Sequence, residues 1–224
     1  MVDRSTISDD VIVIADRGYE SYHVFTHIEE KGWKYVIRVK DKSSRSIVST
    51  LDLPSTETFD ETFQFILTRK QTKEIKSNPQ LYKFMPNNSR FDYFELHDSP
   101  FYSLSFRVVR FNVSENTYQT IITNLDQTEF SLDIIKELYQ MRWGIETSFR
   151  ELKYAIGLSH LHSKKMDYIL QEIFAKLTMY NFCEMIILNV MISQKERRQA
   201  YQINFTTAIH ICKRYFRCLE NCHR

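Results

Sequence analysis

The chain is poor in glycine and proline, with four of each in 224 residues. That excludes a collagen-like repeat or a flexible Gly/Ser linker as its main substance. Cysteine is scarce as well: four residues at this length give no expectation of a disulfide scaffold. No long apolar run is present. The longest lies within residues 166–193 and is broken by Gln171, Glu172, Lys176, Asn181 and Glu184, whereas a membrane-spanning helix needs about 20 mostly apolar residues. The first ten residues, MVDRSTISDD, are polar and acidic, unlike a secretory leader. Together these absences predict a soluble, cytoplasmic protein of a reducing compartment with no membrane partner. A large net charge is also lacking. At +2 overall and 14% aromatic, the chain can bury a core and is not disordered. Its length suits one large domain or two small ones.

The small net charge conceals an asymmetry. Residues 131–224 hold 14 basic and nine acidic side chains, and the preceding 130 hold 16 and 19. Most of the positive excess falls in the last 30 residues, with seven basic and two acidic groups. Such a tail can contact nucleic acid or an anionic surface, and it can equally be a solvated helix face.

Three textures follow one another along the chain. Val11-Ile-Val-Ile-Ala15 is a short continuous apolar run, the pattern of a strand buried on both faces of a parallel sheet. Asp16 stands at its C-terminal end, followed by Arg17-Gly18-Tyr19 as a turn. Tyr22, Phe25 and Ile28 recur at helical spacing over residues 21–31, and Gly32 is placed to end that helix. Residues 34–40 read as the next strand, which completes a strand–helix–strand unit over residues 1–40. Residues 41–126 carry short β-prone runs at 46–51, 61–68, 91–96, 102–113 and 118–125. Pro54, Asn78-Pro79, Pro86 and Pro100 punctuate them, which predicts a mainly antiparallel β region. Residues 127–193 are helical in pattern: one helix from Ser131 to about 156, closed by Gly157, and a second over 166–193. The basic tail 194–224 holds a third, at about 206–220.

The informative stretch runs from Leu138 to Lys153. At 100° per residue, with Tyr139 as origin, Arg142 falls at about −60°, Glu146 at about −20° and Lys153 at about −40°. Phe149, Leu138, Ile145 and Leu152 lie beside this stripe, so it borders the apolar face instead of opposing it. A carboxylate at the rim of a core can be held rigidly enough to ligate a metal. Arg142 and Lys153 can grip phosphates, and Tyr139 can offer a hydroxyl. The same spacing also suits plain i,i+4 charge pairing of Arg142 with Glu146.

The spaced signature Tyr139-x2-Arg142-x3-Glu146-x6-Lys153 resembles that of bacterial insertion-sequence transposases of the YREK class, the IS-four-like branch of the DDE transposases. Ala15-Asp16-Arg17-Gly18-Tyr19 resembles the family's segment around its second catalytic aspartate. Tyr35–Lys40 resembles the strand that follows, and Thr123-Asn124-Leu125 the motif that ends the family's β insertion. The resemblance runs from about Val11 to Asn189. It implies an α/β, RNase H-like catalytic core interrupted by a β-rich insertion, with C-terminal helices. It implies DNA strand cleavage and strand transfer at insertion-sequence ends, with three carboxylates holding two Mg²⁺ or Mn²⁺ ions. Asp16 and Glu146 would be the catalytic, metal-binding carboxylates. Tyr139, Arg142 and Lys153 would bind DNA. Transposon ends and target DNA are the implied partners, a homodimer is open, and the implied location is nucleoid-associated.

The family's first catalytic aspartate has no counterpart. It belongs to a three-stranded meander before the Asp16 strand, and ten residues cannot hold three strands of about 5–6 residues each. The chain is therefore expected to be an N-terminally truncated transposase with an incomplete metal site and little activity alone. The alternatives are a non-catalytic DNA-binding or dimerising fragment, and an unrelated α+β protein with an accidental stripe. Cys212, Cys218, Cys222 and His223 form a C-x5-C-x3-C-H array without the tight pairs of a zinc site. His160 and His162 read as loop, Trp33 as packing at its strand's start, and Trp143 as packing beside its helix or stacking on a base. Lys195, Arg197, Arg198, Lys213, Arg214 and Arg217 could track a DNA backbone.

Overall fold

Ile12–Ala15 forms β1, Tyr22–Glu30 forms α1 and Lys34–Val39 forms β2, with β1 and β2 parallel. Gly32 ends α1 in the left-handed conformation, φ +73°, and the Trp33 amide reaches back to the Ile28 carbonyl at 3.1 Å. A residue with a Cβ would be strained there. The strand–helix–strand unit is thus built as its pattern predicts. The computed structural model describes residues 2–42, 46–190 and 203–222, by backbone alone at residue 3 and residues 219–222. The chain divides into two units, Met1–Arg142 and Trp143–Arg224.

The first unit is organised by one six-stranded mixed sheet. Phe59–Thr68 forms β3, Tyr82–Phe84 β4, Phe101–Ser114 β5 and Thr117–Thr123 β6. Their order is β1-β2-β6-β5-β3-β4. The β-rich middle of the chain therefore continues the sheet begun by β1 and β2, through the antiparallel pairing of β2 with β6. Thr123 and Asn124 fasten that join. The Asn124 side chain accepts from the Tyr35 amide at 2.9 Å and donates to the Trp33 carbonyl at 3.0 Å, while Thr123 Oγ1 donates to the Tyr35 carbonyl at 2.5 Å. An amide side chain here extends the ladder by one residue where the backbone of β6 turns away.

Alternation along the strands makes two cores. Tyr35, Ile37, Leu104, Phe106, Val108 and Ile122 pack with Phe25 and Ile28 of α1. Val36, Val109, Phe111 and Ile121 pack with Ile135 and Tyr139 of α4, Leu132–Gln140. Helices thus cover the sheet on both faces. Two of the expected strands are not strands. Residues 47–50 form a 3₁₀ turn capped by Ser46, whose Oγ accepts from the Ser49 amide at 3.1 Å. Residues 93–96 form the short helix α3, Tyr93–Leu96, where aromatic side chains pack on Phe91 and Tyr102. Short apolar runs do not distinguish these conformations from strand. The helix α2, Lys73–Ser77, and the three-residue β4 were not anticipated. β1 is an edge strand, half-buried at its first three residues, and not the doubly buried strand its composition predicts.

Arg107 of β5 is 3% exposed and carries its charge inside the α4 face of the sheet. Asp60 of β3 meets it with two bonds, at 2.5 and 2.6 Å, and Nη1 donates to the Phe130 carbonyl at 2.7 Å. On the other face Arg110 takes Asp41 at 2.7 and 2.8 Å. That guanidinium holds the Asp41 carboxyl down to about 2.

The second unit is helical. Arg142–Arg150 forms α5, which begins at the boundary, followed by a π-helical turn at Glu151–Ala155, α6 at Met166–Asn189 and α7 at Phe205–Cys222. Ile156, Cys183, Phe205, Ile209 and Cys212 form its core. Glu172 ties the loop before α6 to that helix, accepting from the His162 amide at 2.9 Å and Nδ1 at 2.8 Å, with Lys176 Nζ at 2.9 Å. Among the described residues no helix is long and apolar enough to cross a membrane.

Two stability predictions follow from the buried groups. Arg107→Ala strands Asp60 and the Phe130 carbonyl and should cost about 3–5 kcal/mol in urea unfolding. The double change Arg107→Met with Asp60→Leu should recover most of that loss. Burial raises the Glu29 carboxyl from 4.5 to about 6, against the Tyr35 hydroxyl that donates to it at 2.8 Å. A carboxyl raised in the fold binds protons there before it does in the unfolded chain. Its contribution to stability is thus full below pH 4.5 and lost as pH rises through about 6. Glu29→Gln should flatten the dependence of melting temperature on pH over that window.

Candidate functional site

Asp16 follows β1 directly, with extended backbone at φ −87° and ψ 179°, and caps the 3₁₀ turn Arg17–Tyr19. Its Oδ1 accepts from the Gly18 amide at 2.9 Å. A Cβ at position 18 would lie 3.1 Å from that oxygen, so glycine makes room for the cap. The carboxylate is exposed, beyond the C-terminal end of a parallel strand pair. Open α/β sheets present ligand-binding groups at that end. Glu20, which no motif or spacing in the sequence marks, steadies the same loop. Its two oxygens accept from the Lys40 amide at 2.8 Å and the Ile47 amide at 2.6 Å, joining the Asp16 loop to the exit of β2.

The expected helix over 131–156 is interrupted. α4 closes at Met141, whose amide is shared between the Glu137 and Leu138 carbonyls at 3.2 Å each, and α5 follows. The last turn before Gly157 is π-helical, and Gly157 ends it at φ +80°. In such a turn each residue advances by less than 100°. Within the second unit, Lys153 therefore falls short of the angle from Glu146 that an unbroken α-helix predicts.

The signature residues occupy different environments. Tyr139 is 2% exposed, packed against the sheet, and its hydroxyl has no hydrogen-bond partner among the described residues. Arg142 is half-buried, its guanidinium carbon 5.6 Å from the Tyr139 ring centre. Glu146 is exposed. Lys153 is exposed too, its Nζ 5.2 Å from the ring of Tyr154. Asp16, Tyr139 and Arg142 belong to the first unit, Glu146 and Lys153 to the second.

Within the second unit, Glu151 lies close enough to Glu184 for the two charges to repel. Burial first, and then that repulsion, raises the Glu151 carboxyl. No spacing in the sequence signals this pair, because its members sit on separate elements. Trp33 is buried, and Trp143 is 53% exposed. His160 and His162 lie in the loop, both exposed. Cys212 is buried in the α6–α7 core beside Cys183, and Cys218 is exposed. Arg214 and Arg217 are exposed on α7 and Lys213 is half-buried. Lys195, Arg197, Arg198, His223 and the Cys222 side chain lie outside the described residues. Among the described residues no three His, Cys, Asp or Glu side chains are grouped to hold a metal ion.

The orphaned Tyr139 hydroxyl separates structure from function. Tyr139→Phe removes a buried polar group without breaking a bond, and thermal melting should show unchanged stability or a gain of about 1 kcal/mol. Tyr139→Ala should cost about 3–5 kcal/mol. A marked loss of stability in the phenylalanine variant would show that the hydroxyl has a structural partner.

No curated protein matches the chain. A family model described as Transposase DDE domain matches residues 2–182, from before β1 into α6, and so takes in the whole sheet, Asp16 and the four signature residues. The chain therefore belongs to the family of transposase DDE domains, and the fold that carries the match is a six-stranded mixed sheet with C-terminal helices.

Proposed function

We propose that the chain acts in DNA transposition as a YREK-class, IS-four-like DDE transposase. Asp16 and Glu146 are its catalytic carboxylates, and Tyr139, Arg142 and Lys153 are its contacts to the phosphates of a transposon end. The family match over residues 2–182 carries this reading. The spaced signature and the exposure of Asp16 at the end of β1 support it. Membership implies transposition, DNA as partner and the use of a divalent metal.

The described residues do not bring three ligands together. We infer from the resemblance that this chain supplies two of the family's three carboxylates, Asp16 and Glu146. The outer edge of β1 is unpaired among the described residues, which leaves room for a further strand bearing the third. Arg142 can fork onto a phosphate, and Lys153 offers a point charge. Tyr139 as placed is a packing residue, and contact of its hydroxyl with DNA requires α4 to shift.

The exposed Arg214 and Arg217 of α7 suit a second reading, a DNA-binding fragment without cleavage activity. One experiment separates the two. The purified chain is incubated with transposon-end DNA in Mg²⁺ and then in Mn²⁺, with binding and strand cleavage measured side by side. The expected result is salt-dependent binding with little or no cleavage. Robust cleavage would overturn the incomplete-site reading, and absence of binding would overturn the DNA reading. In a form that does cleave, Glu146→Gln should lower the rate by about 100-fold or more at unchanged melting temperature, the order expected for loss of a group that acts in the transition state.

A further inference from the structure

The far edge of the sheet carries a cleft that none of the signature residues enters. It has a volume of about 440 Å³, and Tyr22, Thr50, Lys70, Lys76, Tyr82 and Lys83 are among its walls. Three lysines thus line one cavity. Among the described residues none of the three has a carboxylate within ion-pair distance. Lys83 Nζ donates to the backbone carbonyls of Thr50 and Pro79, the second at 2.9 Å. Lys70 Nζ sits 5.3 Å from the Phe101 ring centre, a contact that holds the ammonium without neutralising it. Burial lowers the Lys83 pKa, and the more distant charge of Asp52 opposes that shift. Carbonyls and a ring face satisfy cations in part, and lysines that line one cleft without carboxylate partners among the described residues suit an anion.

The surroundings indicate which anion. Residues 69–83 hold five basic side chains and one acidic, Glu74, inside a half of the chain whose charge is otherwise negative. Arg69 and Lys73 extend the positive strip beyond the cleft. A strip of this kind suits a polyanion better than a single small ion. β4 forms this edge and β1, which leads into Asp16, forms the other. Five inter-strand spacings put the two edges roughly 24 Å apart, about seven base-pair steps of duplex.

We propose that the cleft at the β4 edge binds backbone phosphate of DNA, with Lys70, Lys76 and Lys83 as its cationic contacts. It is a second anchoring point, away from Asp16. The inference rests on the DNA-binding reading above, and its test separates the two. Lys70→Gln with Lys76→Gln removes two exposed charges and leaves the partly buried Lys83 in place. Anisotropy of a labelled duplex is followed against salt for the wild-type chain, this double variant and the corresponding double arginine variant. Melting temperature is followed against inorganic phosphate for the same three.

The expected result is a slope of log affinity against log salt that falls by about 2 in the glutamine variant. Its loss of affinity between about 50 and 200 mM salt then shrinks roughly tenfold, and the arginine variant restores the wild-type slope. If the wild-type chain binds duplex with salt dependence and the glutamine variant keeps the same slope, the cleft proposal is overturned while the DNA reading stands. If the wild-type chain does not bind duplex but phosphate raises its melting temperature through Lys70 and Lys76, the cleft takes free phosphate and its assignment to DNA is overturned. If neither ligand has an effect, the cleft proposal and the DNA reading fall together.

Discussion

A guanidinium enclosed between a sheet and a helix cannot be left with idle donors, because the charge has lost its water. Arg107 meets that demand in one way. Its fork takes both oxygens of Asp60 on β3, and its remaining arm takes the Phe130 carbonyl just before α4. One side chain of β5 therefore joins a neighbouring strand to the entry of the helix that carries Tyr139. The register of β3 on β5 and the starting point of α4 are bound to the same charge. Removing either partner would loosen the platform on which Tyr139 packs and after which Arg142 follows.

The same economy appears around Asp16. Gly18 admits the cap, Glu20 joins the Asp16 loop to the exit of β2, and Asn124 with Thr123 holds β6 on β2 at its other end. The Asp16 carboxylate is thereby presented by a turn that its own side chain closes. Thr123-Asn124-Leu125, which resembles a family motif, thus has a direct structural task in this chain. Its polar atoms continue the pairing of β2 and β6, and Leu125 enters the core beneath α4.

Much of this arrangement could be read from residue order. The β1–α1–β2 unit, the glycine stops at 32 and 157, the long β5 and β6 strands and the helices α6 and α7 fall close to where periodicity and turn residues put them. The errors share a cause. Residues 46–51 and 91–96 are short runs whose β-branched and aromatic content fits a strand. Ser46 caps a turn in the first, and Phe91, Tyr93 and Phe94 cluster on the α1 face in the second. The π-helical turn at Glu151–Ala155 was equally invisible, since it changes a hydrogen-bonding pattern without a marker in composition. The charge average concealed the lysine cleft: a negative sum over the first 130 residues hides a positive run at 69–83.

By itself the sequence determined what depends on neighbours along the chain. That includes the strand that leads into Asp16, the helix that Gly32 stops, the spacing of Tyr139, Arg142, Glu146 and Lys153, and the match over residues 2–182 to the family of transposase DDE domains. Tertiary structure decided what depends on residues far apart in the chain. It joined the β-rich middle to β1 and β2 as one sheet, set β1 and β4 at its edges, buried Tyr139, and gathered Lys70, Lys76 and Lys83 around one cavity. Periodicity states which face of an element is apolar. Which apolar face meets it, and which charges then stand together without counter-charges, is settled by packing alone.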